Sequence, residues 1–305
     1  MKLFAKKKHF KSHEVRDALV FALPWFIGFF AFTLYPIIRS FMYSFQEYDI
    51  LHEPKWIGLS NYSKLLTDSR FSASLYNTFY YTMFSVPLQI ALALLLAFLM
   101  TRKIRGLRIF RSIYFFPSVI SGVAVVLVWK LMFQGDYGLI NNILSYIGIR
   151  GPAWLDNPLW SKPALILMSL WGVGMSMVIY IAAMLGVPTT LYEVAEIDGA
   201  SGWTQFRKIT LPLISPAVFY TLVINIAAAL QIFTQVYALT GRPPLAAPGG
   251  PADSTLVLVL YLYDQAFTFL KMGYASTLAW VLFLIILILT LFQFKTSKGW
   301  VHYEE

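Results

Sequence analysis

The chain has 305 residues, of which 58% are hydrophobic and 13% are charged, and its formal net charge is +9. Roughly 25% of the residues of a soluble domain are charged, so this composition excludes an ordinary soluble protein and predicts a surface that mostly faces lipid. The sequence has no cysteine, which excludes disulfides and thiol chemistry.

Six apolar runs are each long enough to cross a bilayer, which takes about 20 residues. They are residues 19–45, 74–100, 109–133, 163–187, 211–239 and 274–294. Each run is predicted to be a helix, because unpaired backbone groups are costly in hydrocarbon. We therefore predict an all-α, polytopic membrane protein with six transmembrane helices, in which residues 19–295 form the transmembrane domain.

The basic residues predict the orientation of these helices. Of the 24 lysines and arginines, 15 lie on one side of the predicted membrane, in the N-terminal segment, the second connection, the fourth connection and the C-terminal tail. The positive-inside rule places these four segments in the cytoplasm. Residues 1–18 are thus predicted to be a basic cytoplasmic N-terminus, and residues 296–305 a cytoplasmic tail. Membrane lipid is the expected neighbour of this charge, and no nucleic acid is expected.

The connections on the other side, residues 46–72, 134–162 and 240–273, are long and rich in Pro, Gly and aromatic residues, so we expect folded docking surfaces there. Within them, residues 243–251 predict a stiff turn-rich loop. Residues 255–263 are apolar but too short to span, which predicts an interfacial or re-entrant helix. Three tryptophans are predicted to anchor the chain at the membrane interface: Trp56, Trp154 and Trp160.

A polar island, EVAEIDGASGWTQFRKITLP at residues 193–212, separates the fourth and fifth apolar runs. Residues 191–197 predict a short helix, and Gly199 predicts a turn with positive φ. Ser201 is predicted to cap a second short helix, which carries Trp203, Phe206 and Arg207 and ends before Pro212 begins the fifth span. The alternative, a solvated connecting loop, predicts fewer aromatic residues and no such turn signals.

Catalytic motifs are absent from the sequence: it has no Walker A loop, no GxSxG and no HExxH, and its four histidines lie outside the apolar runs. The chain is therefore not expected to hydrolyse ATP or to act as a membrane enzyme. No span centre carries an ionisable residue, which disfavours a proton-coupled carrier. The alternative of a stand-alone channel or secondary carrier for a small polar solute stays open at this point.

The polar island resembles the EAA loop of ABC importer permeases. That pattern is EAA, two residues, DGA, five residues, F, and then I and LP. Here it reads Glu193-Val194-Ala195, Asp198-Gly199-Ala200, Phe206, Ile209 and Leu211-Pro212. Every spacing fits, and Val194 in place of alanine is the single departure.

Further segments resemble the carbohydrate-uptake group of these importers, of the maltose and glycerol-3-phosphate type. They are residues 32–41, 56–66, 77–78, 108–121, 135–141, 249–251 with 254–255, and the tail KGWVHYE at 298–304, which looks like the first of two paired permeases. The resemblance implies a type I ABC importer permease fold in a bacterial or archaeal plasma membrane. It also implies a sister permease, two ABC ATPase subunits that hold ATP and Mg, and an extracytoplasmic solute-binding protein, with no cofactor on this chain.

In this family the loop at 191–212 docks on the ATPase, so the resemblance implies an ATPase-coupling set. Its members are Glu193, Ala195, Asp198, Gly199, Ala200, Trp203, Phe206 and Pro212. Glu193 is expected to pair with a basic residue of the ATPase. Trp203 and Phe206 are expected to anchor the contact, although packing against their own helix bundle is an alternative for both.

The solute is expected near the midplane, between the fourth and fifth spans and those of the sister permease. Two stretches at helical spacing predict the lining: Met168, Trp171, Gly172 and Met175, and then Asn225, Ala229, Gln231, Ile232 and Gln235. An aromatic ring beside uncharged amides suits a carbohydrate, because amides both donate to and accept from hydroxyls. For Gln231 and Gln235 an alternative role is bonding between helices.

Overall fold

The structure, a computed structural model, describes residues 12–102, 106–240 and 249–302. Its α-helices are α1 Ser12–Phe29, α2 Tyr35–Ser44, α3 Ser60–Leu65, α4 Ser69–Met100, α5 Leu107–Phe115, α6 Gly122–Met132, α7 Leu139–Tyr146, α8 Pro158–Ser169, α9 Gly174–Leu185, α10 Thr189–Ile197, α11 Gly202–Gln205, α12 Leu211–Leu213, α13 Ser215–Leu230, α14 Thr234–Thr240, α15 Leu258–Tyr263 and α16 Met272–Ser297. Short 3-10 helices lie at Phe116–Val119, Leu170–Gly172 and Pro251–Asp253, and π-helical turns at Phe30–Leu34, Phe206–Thr210 and Asp264–Thr268.

A two-stranded antiparallel hairpin, β1 Gln46–Glu47 and β2 Lys55–Trp56, follows α2, with Gln46 opposite Trp56. Some sequence predictions fall outside the described residues: the basic residues before residue 12, the basic residues Lys103 and Arg105, the loop at 243–248, and the tail at 303–305.

Three helices are long and apolar enough to cross a membrane: Leu19–Ser44, Ser69–Met100 and Met272–Ser297. Three further pairs of helical segments pass the same test together but are bent at a short break. The pairs are Leu107–Val119 with Gly122–Met132, Pro158–Gly172 with Gly174–Leu185, and Gly202–Leu213 with Ser215–Leu230. If each bent pair is one span, the described part of the chain has six spans, the number that the sequence predicts.

The third and fourth spans are broken at neighbouring positions, with bends of 103° and 46°. In the third span, Pro117 removes a backbone donor, and Ile120 and Ser121 adopt extended ψ values of 142° and 130°. In the fourth span, the break lies just before Gly174. A Cβ atom at Gly174 would lie 2.4 Å from the carbonyl oxygen of Tyr114, so only glycine lets the two spans pack this closely.

The fifth span differs from its prediction at both ends. It bends by 68° at Ile214, so the prediction that the preceding helix ends before Pro212 is wrong. The physical reason is Pro216, which has no N–H for the carbonyl of Pro212; the Ser215 hydroxyl donates to that oxygen instead, at 2.6 Å.

The prediction of one helix over 211–239 is also wrong, because α13 ends at Leu230 and α14 begins only at Thr234. The side-chain amide of Gln231 donates to the carbonyl of Ala227 at 3.0 Å and so satisfies an acceptor of the last turn.

Two predicted parts of the connections are buried within the protein. The short helix predicted at 255–263 is present as α15, with Leu256, Leu258 and Leu260 fully buried and contacts to α4 and α16, which favours the re-entrant over the interfacial alternative. Trp154 is also buried, because its Nε1 donates to Oδ1 of Asn141 at 2.7 Å inside the connection. The other two predicted anchors, Trp56 and Trp160, are exposed.

Polar contacts at the start of α4 hold these elements together. Asp68 caps α4 by accepting from the backbone N–H groups of Arg70 and Phe71, and it also accepts from the hydroxyls of Tyr261 and Tyr274, both at 2.5 Å. Arg70 donates twice to Asp253, at 2.9 and 3.1 Å. We call the end of the bundle that contains Asp68, Arg70 and Asp253 the far end.

The side-chain amide of Asn77 also belongs to this network. It donates to the carbonyls of Asp253 and Leu256, at 2.8 and 3.0 Å. As a result, the loop before α15 is fastened to the first three turns of α4.

A buried carboxylate beside this network predicts a pH dependence of stability. Asp264 is 1% exposed, and neither of its side-chain oxygens has a hydrogen-bond partner among the residues that the structure describes. Burial raises the pKa of Asp264 to about 6; the charge of Asp253 adds to this, and Arg70 opposes it. The folded protein therefore holds the proton more tightly than the unfolded chain, and stability falls as pH rises from about 4 to about 6.

Asp264→Asn should remove this loss, because the amide has nearly the same shape and no charge. We expect the variant to melt a few degrees above the parent protein at pH 7.5 and to lose that advantage at pH 4. Thermal unfolding of the detergent-purified protein measures both, with Glu53→Gln, an exposed acid of the first connection, as control. Equal shifts at both pH values would contradict an ionised buried carboxylate.

Candidate coupling elbow and solute cavity

The polar island folds into a helix–turn–helix elbow, residues 189–213. Gly199 has φ +74°, and its N–H donates to the carbonyl of Glu196, while the N–H of Ala200 donates to the carbonyl of Ala195 at 2.8 Å. Ser201 then caps α11 by accepting from the N–H of Thr204. The positive φ of Gly199 and the Ser201 cap are both confirmed.

Side-chain bonds close the two arms of the elbow on each other. The hydroxyls of Tyr192 and Thr210 lie 2.8 Å apart, and the amide of Gln205 donates to the carbonyl of Ala200 at 3.2 Å. The elbow is therefore a folded unit rather than a loose connection.

The outer surface of the elbow is apolar and acidic. Ile197 is 85% exposed and Trp203 is 67% exposed. Beside them the acids of the predicted coupling set, Glu193 and Asp198, are exposed, whereas Ala195 is half-buried. Large apolar side chains that project into solvent beside charges are typical of a surface that another protein covers.

The two predicted anchors of this surface differ in the structure. Trp203 projects outward, but Phe206 is half-buried and lies edge-to-face with Phe98 of α4, with ring centroids 4.9 Å apart. Phe206 thus packs against its own bundle. The docking role of the coupling set stays a prediction.

A cavity of about 560 Å³ lies between the second, third, fourth and fifth spans. Eight of the nine predicted solute-lining residues border it: Met168, Trp171, Gly172, Asn225, Ala229, Gln231, Ile232 and Gln235. Met175 does not and is 56% exposed, because the 3-10 turn Leu170–Gly172 and the bend after it rotate α9 away from the face that α8 presents.

The cavity lies where three spans lose their regular helix. The third span contributes residues around its break at Ile120, the fourth contributes its 3-10 turn, and the fifth contributes the non-helical stretch that starts at Gln231. Irregular backbone at membrane depth is tolerated only where it is buried or lines a cavity. The position of the three breaks beside this cavity agrees with that rule.

Sequence reasoning missed the lining residues of the second and third spans, Tyr81, Gln89, Pro117, Ile120, Gly122 and Val125. The sequence could have predicted Gln89 as a lining residue, because it is an amide inside an apolar stretch. It could also have predicted Pro117, because proline breaks a helix.

The lining offers stacking and hydrogen bonding without charge. Trp171 is 44% exposed and lies edge-to-face with Trp129, with ring centroids 5.7 Å apart. Amides at Gln89, Asn225, Gln231 and Gln235 border the same cavity, and none of the lining residues in the described part of the chain is Asp, Glu, Lys, Arg or His. Residues 12–102, 106–240 and 249–302 also contain no cluster of three side chains suited to a metal ion. This set suits a neutral, hydroxyl-rich solute.

Comparison with known proteins gives consistent matches. Residues 68–297 match the family described as "Binding-protein-dependent transport system inner membrane component". The chain is 40% identical over 301 residues to the probable ABC transporter permease protein YesP of Bacillus subtilis (strain 168), covering 96% of each chain. It is 36% identical over 272 residues to the lactose transport system permease protein LacF of Rhizobium radiobacter, covering 88% and 89%.

A solved structure is similar over nearly the whole chain. It is a chain of a bacterial alginate ABC transporter in complex with an alginate pentasaccharide-bound periplasmic protein. The TM-score is 0.80 at 25% sequence identity, and the match covers 93% of this chain and 96% of that one.

Gly199→Val should destabilise the elbow through its backbone alone. A Cβ atom at Gly199 would meet no other atom within 4 Å, so the cost arises from φ +74°, which a β-branched residue adopts at about 1–3 kcal/mol. We expect faster proteolysis at residues 189–213 in detergent. Gly199→Asn is the matched variant, because asparagine tolerates this φ, and it should stay close to the parent protein. Equal sensitivity of the two variants would contradict backbone strain as the cause.

Proposed function

We propose that this chain is the permease subunit through which an ABC importer takes up a carbohydrate. The premise is that the chain belongs to the family of binding-protein-dependent transport system inner membrane components. The observation that carries this proposal is the uncharged cavity of amides and Trp171 at the breaks of three spans. The relatives named for lactose and the structure of an alginate transporter support a carbohydrate as the solute. Family membership argues against a stand-alone channel or carrier.

The elbow is proposed to lie in the cytoplasm, together with both termini. Its own Arg207 and Lys208, and Arg102 and Arg108 of the second connection, support this orientation through the positive-inside rule. The membrane is then the plasma membrane of a bacterium or archaeon, and the far end meets an extracytoplasmic solute-binding protein. A sister permease completes the cavity, and two ABC ATPase subunits, which hold ATP and Mg²⁺, bind below.

The elbow is proposed to dock on one ATPase subunit. Glu193 makes a charge pair with a basic residue of the ATPase, and Trp203 enters an apolar part of the same contact. Gly199, Asp198 and Ala200 form the turn that sets the angle between the two arms. Phe206 and Pro212 hold the second arm against the bundle.

Movement of the elbow reaches the cavity through two helices. The first arm continues through Pro188 into α9, and α9 begins directly after the fourth-span break beside Gly172. The second arm continues into α13, whose 16 residues span about 24 Å and end at Leu230, next to Gln231. A displacement of the elbow on ATP binding therefore changes the distance between Trp171 and Gln231, on two walls of the cavity. That change opens the cavity to one side or the other.

Glu193→Ala tests the docking role. The residue is exposed, so its removal should leave the fold intact while weakening the contact with the ATPase by a few kcal/mol if the pair is half-buried there. We expect loss of ATPase from the purified complex and loss of uptake. Glu196→Ala removes the same charge from the same helix and is the control. Full ATPase content and uptake in the Glu193 variant would show that this role is wrong.

Trp171→Ala tests the solute site. It should lower carbohydrate uptake modestly while basal ATP hydrolysis persists, because the ring lies in the cavity and far from the elbow. Trp160→Ala is the matched control, a tryptophan of the same span that is exposed to a similar degree but lies outside the cavity. Uptake and hydrolysis are measured on one reconstituted preparation. A parallel fall of both in the Trp171 variant would indicate lost stability instead of a lost solute contact.

A further inference from the structure

The elbow is covalently continuous with the fourth and fifth spans, yet the cavity also has walls from the second and third. Tyr81 and Gln89 come from α4, and Pro117 and Gly122 come from the third span. Alternating access requires these walls to move together relative to the walls that the sister permease supplies. Contacts outside the covalent chain join the elbow to the second and third spans.

A stack of side chains joins the elbow to the end of α4. Trp203 stacks on Phe206 with centroids 5.6 Å apart, and Phe206 lies edge-to-face with Phe98 at 4.9 Å. The guanidinium of Arg102 also lies over the ring of Phe98, with its Cζ 4.6 Å from the ring centroid. It also reaches α11, because a Cβ atom at Gly202 would lie 3.4 Å from Nη2 of Arg102.

The same end of α4 is fastened to the third span. Arg111 of α5 donates from Nη2 to the carbonyl of Met100, the last residue of α4, at 2.8 Å. This carbonyl is one of the acceptors that a helix leaves unpaired at its C-terminus, so a cation is favoured there. The end of α4 therefore connects the elbow on one side with the third span on the other.

We propose that Phe98 and Arg102 are positioning residues that make the elbow and the adjoining ends of the second and third spans move as one body. The proposal rests on the proposed function, since it concerns how ATP-driven movement of the elbow is transmitted. The stack supplies a link that the covalent chain lacks. Without it, the elbow moves α9 and α13 while the Gln89 and Pro117 walls follow only by packing within the bundle.

The first test measures coupling in the reconstituted complex with its ATPase and solute-binding protein. Phe98→Ala and Arg102→Ala should each lower the amount of solute transported per ATP hydrolysed by roughly two- to tenfold, the range expected for loss of one aromatic or cation–π contact. Phe98→Tyr and Arg102→Lys keep a ring and a charge and should restore most of the ratio. Leu99→Ala, an exposed neighbour on the same helix, is the control and should keep the parent ratio.

The second test uses the absence of cysteine from the chain. Phe98→Cys combined with Phe206→Cys removes both rings and should show the reduced transport-to-hydrolysis ratio. Joining the two thiols with a short bifunctional reagent replaces the stack by a covalent link, and movement as one body predicts that transport recovers. Loss of the remaining transport on cross-linking would show that the elbow slides along α4 and would overturn the proposal.

An unchanged transport-to-hydrolysis ratio in Phe98→Ala would also overturn it. Failure of the proposed function looks different, because the parent complex would then show no carbohydrate uptake. A merely structural role for Phe98 would lower the yield of complex and both activities together while leaving their ratio at the parent value. That outcome counts against the proposal.

Discussion

The requirement that backbone polar groups find partners away from water governs this architecture. In hydrocarbon an N–H or C=O without a partner costs several kcal/mol, so a helix that crosses lipid is normally left unbroken. Here three spans break, at Ile120, after Leu170 and at Gln231, and all three breaks border the same cavity. Three breaks thus lie at the cavity where a polar solute is proposed to bind, whereas the bend at Ile214 lies by the elbow, where Ser215 satisfies the carbonyl of Pro212.

The second span is the opposite case, because α4 runs for 32 residues without an interruption in spite of Pro87. Both of its ends are fixed by side chains. Asp68 holds the first turn and the hydroxyls of two tyrosines, and Arg111 binds the last carbonyl. Helices α9, α13 and α15 pack against it. A continuous helix held at both ends is a rigid element beside the three broken spans, and the cavity forms along its side.

The sequence predicts those parts of this structure that depend on local chemistry. The six apolar runs match three long helices and three bent helix pairs in the described part of the chain, Gly199 has the positive φ that its turn needs, and Ser201 caps its helix. Eight lining residues follow from helical spacing, because spacing survives over one or two turns on either side of a break. The errors come from tertiary packing. Met175 lies beyond a bend whose angle depends on how Gly174 meets another span, and Trp154 is buried by a contact to Asn141 that no local pattern indicates.

The bare backbone at Gly174 bears on how solute specificity changes among related proteins. Because no side chain fits between this residue and Tyr114, the third and fourth spans meet at a separation that the main chain dictates. A side chain at this position would push the two spans apart and disturb both walls at once. Specificity can instead change through the lining side chains: shortening Trp171 or exchanging the amides at Gln89 and Gln235 alters which solute fits and leaves the contact at Gly174 in place.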